Sequence, residues 1–295
     1  MALELIDQEV LLKSAFNGNR RELSRLLTHL EKGMKLNLPE DAPPRKSTVL
    51  GITGPPGVGK STLIGRIINY WKLKNQNVAV LAIDPSSPRS GGALLGDRVR
   101  MDSADSGDLV FVRSLSTGGQ PGGISSSLIS MIDLLSYCGW ENIIIETVGA
   151  GQSEIKIVAF ADKILLIDGP DRGDIIQAEK AGIIELADVV VINKSDLPGS
   201  AKAAESIRSS LSFGDIKSSP EVILVSADKN DGVEEMMNLI ENCDSPDWRE
   251  RIKIKERLIS LWDSRLLASP ELNRIIGNLQ TGSISLDDAL DELAR

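Results

Sequence analysis

Two short runs in this chain have the residue types and spacing to hold a nucleoside triphosphate. The first is Gly54-Pro55-Pro56-Gly57-Val58-Gly59-Lys60-Ser61, followed by Thr62. It fits the phosphate-binding pattern G-x-x-x-x-G-K-[ST]. The glycines let backbone N–H groups turn inward around phosphate oxygens, and a helix opening at the end of the loop favours negative charge there. In that geometry Lys60 reaches the outer phosphates and the Ser61 hydroxyl holds Mg²⁺. The second run is Asn193-Lys194-Ser195-Asp196, of the N-K-x-D form that reads guanine. The Asp196 carboxylate can accept hydrogen bonds from both N1–H and the exocyclic amine of that base. Adenine offers neither donor at those places, and a buried polar group left unpaired can discriminate by roughly 10⁴. Ser226-Ala227 fits the backbone loop that supports the base.

Acidic and basic residues elsewhere supply candidates for the chemistry on the phosphates. Asp84, in Asp84-Pro85-Ser86-Ser87-Pro88, ends an apolar run. It either faces the phosphates, holding Mg²⁺ through water or orienting the attacking water, or caps a turn before proline. Glu146-Thr147-Val148-Gly149 follows another apolar run, at the place of the metal-linked acidic residue of many phosphate-loop enzymes. Gly149 and Gly151 let the backbone there move with the outer phosphate. Arg98 and Arg100 lie in a long glycine-rich region between Ser86 and Gly123. They either stabilise charge on the transferring phosphoryl group or pair with Asp97 and Asp102 on the surface.

These residues need elements to position them. From about Ser47 to Ala227, apolar runs at Val49–Thr53, Val78–Asp84, Leu109–Val112, Ile143–Glu146, Ile164–Asp168, Val189–Asn193 and Val222–Ser226 alternate with longer helical stretches. Several are apolar at nearly every position, as strands covered on both faces are. The alternation predicts an α/β fold, a phosphate-loop domain with a mostly parallel sheet and helices on each side. Ligands in such folds sit beyond the C-terminal ends of the strands, where most of the candidates fall. Apolar spacing predicts helix from residue 1 to about 38, as two helices separated by Asn17-Gly18-Asn19. Three more are predicted after Cys243: Trp248–Leu267, one opened by Pro270 and running to Leu279, and one capped by Ser285. The expected organisation is a helical extension over 1–44, a nucleotide-hydrolysing domain over 45–243 and a helical arm over 244–295 that packs on the domain or on a second subunit.

Composition excludes several classes. Hydrophobic residues are 41% and charged residues 25% of 295, the mixture of a water-soluble globular protein. The net charge of −9 and an aromatic content of 3% argue against a nucleic-acid surface. No apolar run reaches the ~18 residues of a membrane span, and the N-terminus has no signal-like core. A cytoplasmic location is expected. Cys138 and Cys243 lack metal-ligand spacing and read as buried free thiols. His29, the single histidine, reads as a helix residue beside an apolar stripe.

Together the motifs resemble the GTPases associated with methylmalonyl-CoA mutase, the MeaB/ArgK family. The resemblance rests on Gly54–Thr62, on Asp84-Pro85-Ser86-Ser87-Pro88 with Gly91-Gly92, and on Leu95-Gly96-Asp97 with Arg100-Met101. It rests also on Glu146-Thr147-Val148-Gly149 with Gly151-Gln152-Ser153-Glu154, and on Asn193–Asp196. It implies a GTP-hydrolysing chaperone for a cobalamin-dependent acyl-CoA mutase, a homodimer joined through the C-terminal arm. GTP binding and hydrolysis to GDP would then gate loading or release of adenosylcobalamin. Asp84, Asp97 and Glu146 would lie around Mg²⁺ and the outer phosphate. A further family segment carries a lysine pair before a glycine. Here the matching stretch is Gly173–Gly182, where Lys180 is the lysine of that pair that is present and Ala178 stands in place of a glycine.

Two other readings compete. An ATP-dependent kinase or transport-linked ATPase shares the phosphate loop, and Asn193–Asp196 argues against it. A metal-delivery GTPase of the nickel-insertion type needs soft or imidazole ligands, which one histidine and two distant cysteines do not supply.

Overall fold

A computed structural model of the protein describes residues 2–39, 46–84, 108–116, 127–147, 157–170, 181–212, 219–243 and 247–293. Asp97, Arg98, Arg100, Gly149, Gly151 and Lys180 lie outside the described residues, as does the side chain of Asp84.

Two helices, α1 (Ala2–Phe16) and α2 (Arg20–Glu31), open the chain. Asn19 starts α2 by accepting the backbone N–H groups of Arg21 and Glu22 on its side-chain oxygen. The expectation of helix to about residue 38 is corrected: α2 stops at Glu31. Gly33 takes a φ of +80°, and the N–H groups of Gly33 and Met34 turn back to Leu30 and His29. This is a Schellman close, which satisfies the last carbonyls and prevents another turn.

The α/β part follows as β1 (Thr48–Thr53), α3 (Lys60–Leu73), β2 (Val78–Asp84), β3 (Val110–Ser116), α4 (Leu128–Tyr137) and β4 (Asn142–Thr147). A 3₁₀ turn at Ile157–Ala159 precedes β5 (Lys163–Asp168), α5 (Ala181–Leu186), β6 (Val189–Asn193), α6 (Ser200–Ser212), β7 (Glu221–Val225) and α7 (Val233–Asn242). The seven strands form one sheet in the order β3-β2-β4-β1-β5-β6-β7. Every pairing between them is parallel. The central strands are apolar throughout because both faces are covered. Neighbouring residues of one strand serve opposite cores. Ile144, Leu165 and Val191 face α3 and α7, while Ile143, Ile145, Leu166 and Val190 face the layer with α1, α2, α4 and α6. The two layers fix the register of each strand, since a one-residue slip would exchange them.

Strand β3 runs four residues further than the apolar run Leu109–Val112 suggested. It pairs with β2 from Val110 to Ser116, and its polar Arg113 is absorbed by α2. The Arg113 guanidinium donates to the Ser24 carbonyl, the Thr28 hydroxyl and, at 2.6 Å, the Glu31 carboxylate. Strand β7 ends one residue earlier than expected. Ser226 leaves the ladder because its N–H and C=O both bond to Asp231. Cys138 and Cys243 are free and half-buried rather than fully buried. Burial pushes the Cys138 thiol up to about 12, which disfavours the thiolate at neutral pH.

Three helices complete the chain: α8 (Asp247–Ala268), α9 (Leu272–Gln280) and α10 (Leu286–Leu293). Ser285 caps α10 as expected. Its hydroxyl accepts the Asp288 N–H, and the Asp288 carboxylate accepts the Ser285 N–H in return. Helix α8 is fastened by three basic residues four apart, which share a helix face. Arg249 donates through one terminal nitrogen to both Asp188 carboxylate oxygens and through the other to the Leu186 carbonyl. Lys253 reaches Asp162 at 2.7 Å, and Arg257 donates to the Ala159 carbonyl at 2.6 Å. The two aspartates also accept strand N–H groups, Asp162 from Val49 and Asp188 from Ile164. The arm therefore grips the N-terminal edge of the sheet, the end opposite the phosphate loop.

The Arg249–Asp188 side chains are each 4% exposed, so removing the cation alone strands a buried carboxylate. Arg249→Ala is expected to cost about 3–5 kcal/mol in urea unfolding. Arg274→Ala breaks exposed pairs with Glu271 and Glu292 and is expected to leave the urea midpoint nearly unchanged, because solvent screens such pairs. Equal losses for the two variants would contradict this account of the arm.

Candidate nucleotide site

The C-terminal ends of β1, β4, β6 and β7 bring the candidate residues together. Between β1 and α3 the chain turns through Gly54 and Gly59, at φ +145° and +92°. A methyl group on Gly54 would sit 2.0 Å from the Ile167 carbonyl oxygen of β5. One on Gly59 would sit 2.5 Å from the side-chain nitrogen of Asn193. Both positions exclude a side chain by backbone conformation and by space. Pro55 and Val58 are buried within the loop, while Pro56, Gly57 and Thr62 face outward. Lys60 is buried at 8% exposure and donates to the carbonyls of Gly54 (2.8 Å) and Pro55 (3.0 Å). The ammonium thus lies across the mouth of its own loop, beside the first turn of α3.

Ser61, next in that turn, donates its hydroxyl to Glu146 Oε1 at 3.3 Å. Glu146 sits at the end of β4 and is 6% exposed. Beside it the Thr147 hydroxyl donates to that of Thr53 at 3.0 Å, tying the ends of β4 and β1 together. Two oxygen donors from distant sequence positions therefore meet at the start of the phosphate-loop helix. Asp84 ends β2, on the far side of β4 from β1, by its backbone.

The second motif interlocks with the first. Asn193, 2% exposed, donates to the Val58 carbonyl at 2.8 Å and accepts the Ala227 N–H at 3.0 Å. Lys194, at φ +60°, donates to the Gly57 carbonyl at 2.8 Å. Asp196 points to the surface with its side chain 26% exposed. One oxygen accepts the Ser226 hydroxyl at 2.8 Å, and the other lies 3.6 Å from the Lys229 ammonium. The carboxyl is held below its ordinary value of 3.8, first by the Ser226 hydroxyl and then by its own backbone N–H. At neutral pH it is an acceptor only, the property needed to pair with two base N–H donors. Sequence reasoning did not single out Thr53, Arg66 or Lys229. Lys229 lies three residues past Ser226, and that spacing was the one available signal. Arg66 gave none, since an arginine within a helix reads as a solvated one.

Comparison with known proteins gives the family and the fold. The sequence model of the family described as methylmalonyl-CoA mutase-associated GTPase MeaB matches residues 29–255. A Pyrococcus abyssi protein designated a GTPase by inference is 36% identical over 263 residues, covering 86% of this chain and 81% of the relative. The mouse (Mus musculus) protein named methylmalonic aciduria type A homolog, mitochondrial, is 35% identical over 239 residues, 78% of this chain. That match spans 57% of the mouse protein, and a Pyrococcus horikoshii relative is matched over 61% of its length. Among solved structures, a LAO/AO transport system kinase superposes with a TM-score of 0.66 at 22% identity, over 97% of this chain and 96% of that one. At that identity the likeness speaks for the fold, a parallel-sheet phosphate-loop architecture. With the family match covering most of its length, the chain belongs to the methylmalonyl-CoA mutase-associated GTPases.

Proposed function

We propose that this chain is a GTP-hydrolysing chaperone that binds a cobalamin-dependent acyl-CoA mutase and gates the loading or renewal of its cofactor. The observation that carries the nucleotide part is Asp196. It is an ionised acceptor oriented by Ser226, in a loop that Asn193 joins to the phosphate loop. In this reading the loop N–H groups of residues 54–62 cradle the phosphates, and Lys60 exchanges its loop carbonyls for phosphate oxygens. The hydroxyl of Ser61 and the carboxylate of Glu146 are hard oxygen donors that suit Mg²⁺, with phosphate and water completing its shell. The bound ion supplies charge neutralisation at the outer phosphates. Asp84 and Asp97 are proposed as further carboxylates near it, and Arg100 and Lys180 as cations acting on the outer phosphate. An ATP-dependent kinase would have no use for the Asp196–Ser226 arrangement.

The mutase is supported by the family description and by the name of the mouse relative. A homodimer is supported by the free side of α8. Ile254, Leu258, Leu261 and Trp262 lie along it, each at least 42% exposed. Their spacing makes one apolar stripe, which a second copy of the arm would cover. Among the described residues no helix is long and apolar enough to cross a membrane. A cytoplasmic location and independence from nucleic acid belong to the same proposal.

Asp196→Asn turns one acceptor oxygen into a donor. It is expected to weaken GDP binding by at least about 100-fold and to favour xanthosine diphosphate, measured by calorimetry in Mg²⁺. An unchanged order of preference would show that another group reads the base. Light scattering on the purified chain should give twice the 31.8 kDa of one copy, and Leu258→Glu should halve it. A single-copy mass without the substitution would contradict the dimer. Purified methylmalonyl-CoA mutase should accelerate GTP hydrolysis at least about tenfold. No acceleration and no co-elution would overturn the partnership.

A further inference from the structure

The loop that holds Ser226 is anchored from a direction the nucleotide motifs do not explain. Arg66 lies on α3, six residues after Lys60, about 9 Å along the helix. Its guanidinium donates through Nε to the Ala227 carbonyl at 2.7 Å and through a terminal nitrogen to the Asp228 carbonyl at 2.9 Å. The planar fork of arginine suits two neighbouring carbonyls, and a lysine can reach only one well. The backbone of Ala227 is thus held through both of its polar groups, its N–H by Asn193 and its carbonyl by Arg66. The loop is otherwise short and closed on itself by the Ser226–Asp231 pair. The Asn230 N–H makes only a long 3.4 Å contact to the same Ala227 oxygen.

We infer that Arg66 is a positioning residue for base selection: by fixing the carbonyls of Ala227 and Asp228 it aims the Ser226 hydroxyl, and through it the Asp196 carboxylate. The helix that opens at the phosphates thereby also sets the angle of the group that reads the purine. This inference rests on the reading of Asp196 as the guanine-recognising residue. Ser226 occupies one Asp196 oxygen, so a shift of the loop turns the carboxylate. The two-donor geometry of guanine is then lost before the phosphate contacts are. Lys229, in the same loop and 3.6 Å from the other Asp196 oxygen, moves with it.

The test compares GDP with inosine diphosphate, which has the same phosphates and N1–H but lacks the exocyclic amine. Binding of each is measured by calorimetry on the full chain and on Arg66→Met and Arg66→Lys. The unaltered chain should prefer GDP by about tenfold or more, the worth of one hydrogen bond to a charged group. In Arg66→Met the GDP affinity should fall about tenfold while that for inosine diphosphate falls less than about threefold, and Arg66→Lys should lie between. Equal losses for both nucleotides would mean that Arg66 merely supports the fold and would overturn the inference. So would a full preference retained in Arg66→Met. Should Arg66→Met fail to fold, an intermediate ratio in Arg66→Lys supports the inference and an unaltered ratio overturns it. If the unaltered chain binds both nucleotides equally, the Asp196 reading fails and takes this one with it.

Discussion

The carboxamide of Asn193 is the interaction on which the site depends. It is buried, donates to the phosphate loop at Val58 and accepts from the loop after β7 at Ala227. Both partners are backbone groups, so the amide fixes the separation of two loops that come from opposite halves of the sequence. A buried carboxamide satisfied at both ends is costly to disturb, because removing it strands a carbonyl and an N–H together. It also explains why residue 59 is glycine. The carboxamide nitrogen occupies the space that a Cβ there would need.

Around that bond the strand order does the rest. β1 is central, with β4 on one side and β5 then β6 on the other, so the phosphate loop, Glu146 and Asn193–Asp196 emerge at one end of the sheet. Parallel pairing keeps all of these ends on the same side. The opposite edge receives α8 through Arg249, Lys253 and Arg257. The chain therefore separates its chemistry from the surface proposed for self-association. The 3₁₀ turn at Ile157–Ala159, which holds Arg257, lies between β4, the strand that carries Glu146, and the next one, β5. That places an arm contact on the connection that follows the acidic residue of the site.

Most of the sheet was legible because apolar runs covered on both faces have few alternatives. Seven runs gave seven strands. The errors fell where polar residues took part in the sheet or backbone bonds ended it. Arg113 broke the apolar run but not the strand, since α2 supplies its three acceptors. Ser226 ended β7 early because Asp231 captured both its backbone groups. The two candidate nucleotide motifs stand out in the sequence because each compresses its geometry into a few consecutive residues, and the structure brings them together through Asn193 and Lys194. Arg66 does not, since its meaning lies in carbonyls 161 and 162 positions away. The same holds for Arg249 and Lys253, whose partners no local pattern announces.

In the proposed reading, the Gly54–Thr62 loop grips phosphates and Asp196 selects guanine at one end of the sheet. Competition between GDP and ADP for the unaltered chain, in Mg²⁺ at neutral pH, is the deciding measurement. The account predicts that ADP fails to displace GDP even at about 10³-fold excess. Displacement by ADP at equal concentration would contradict it.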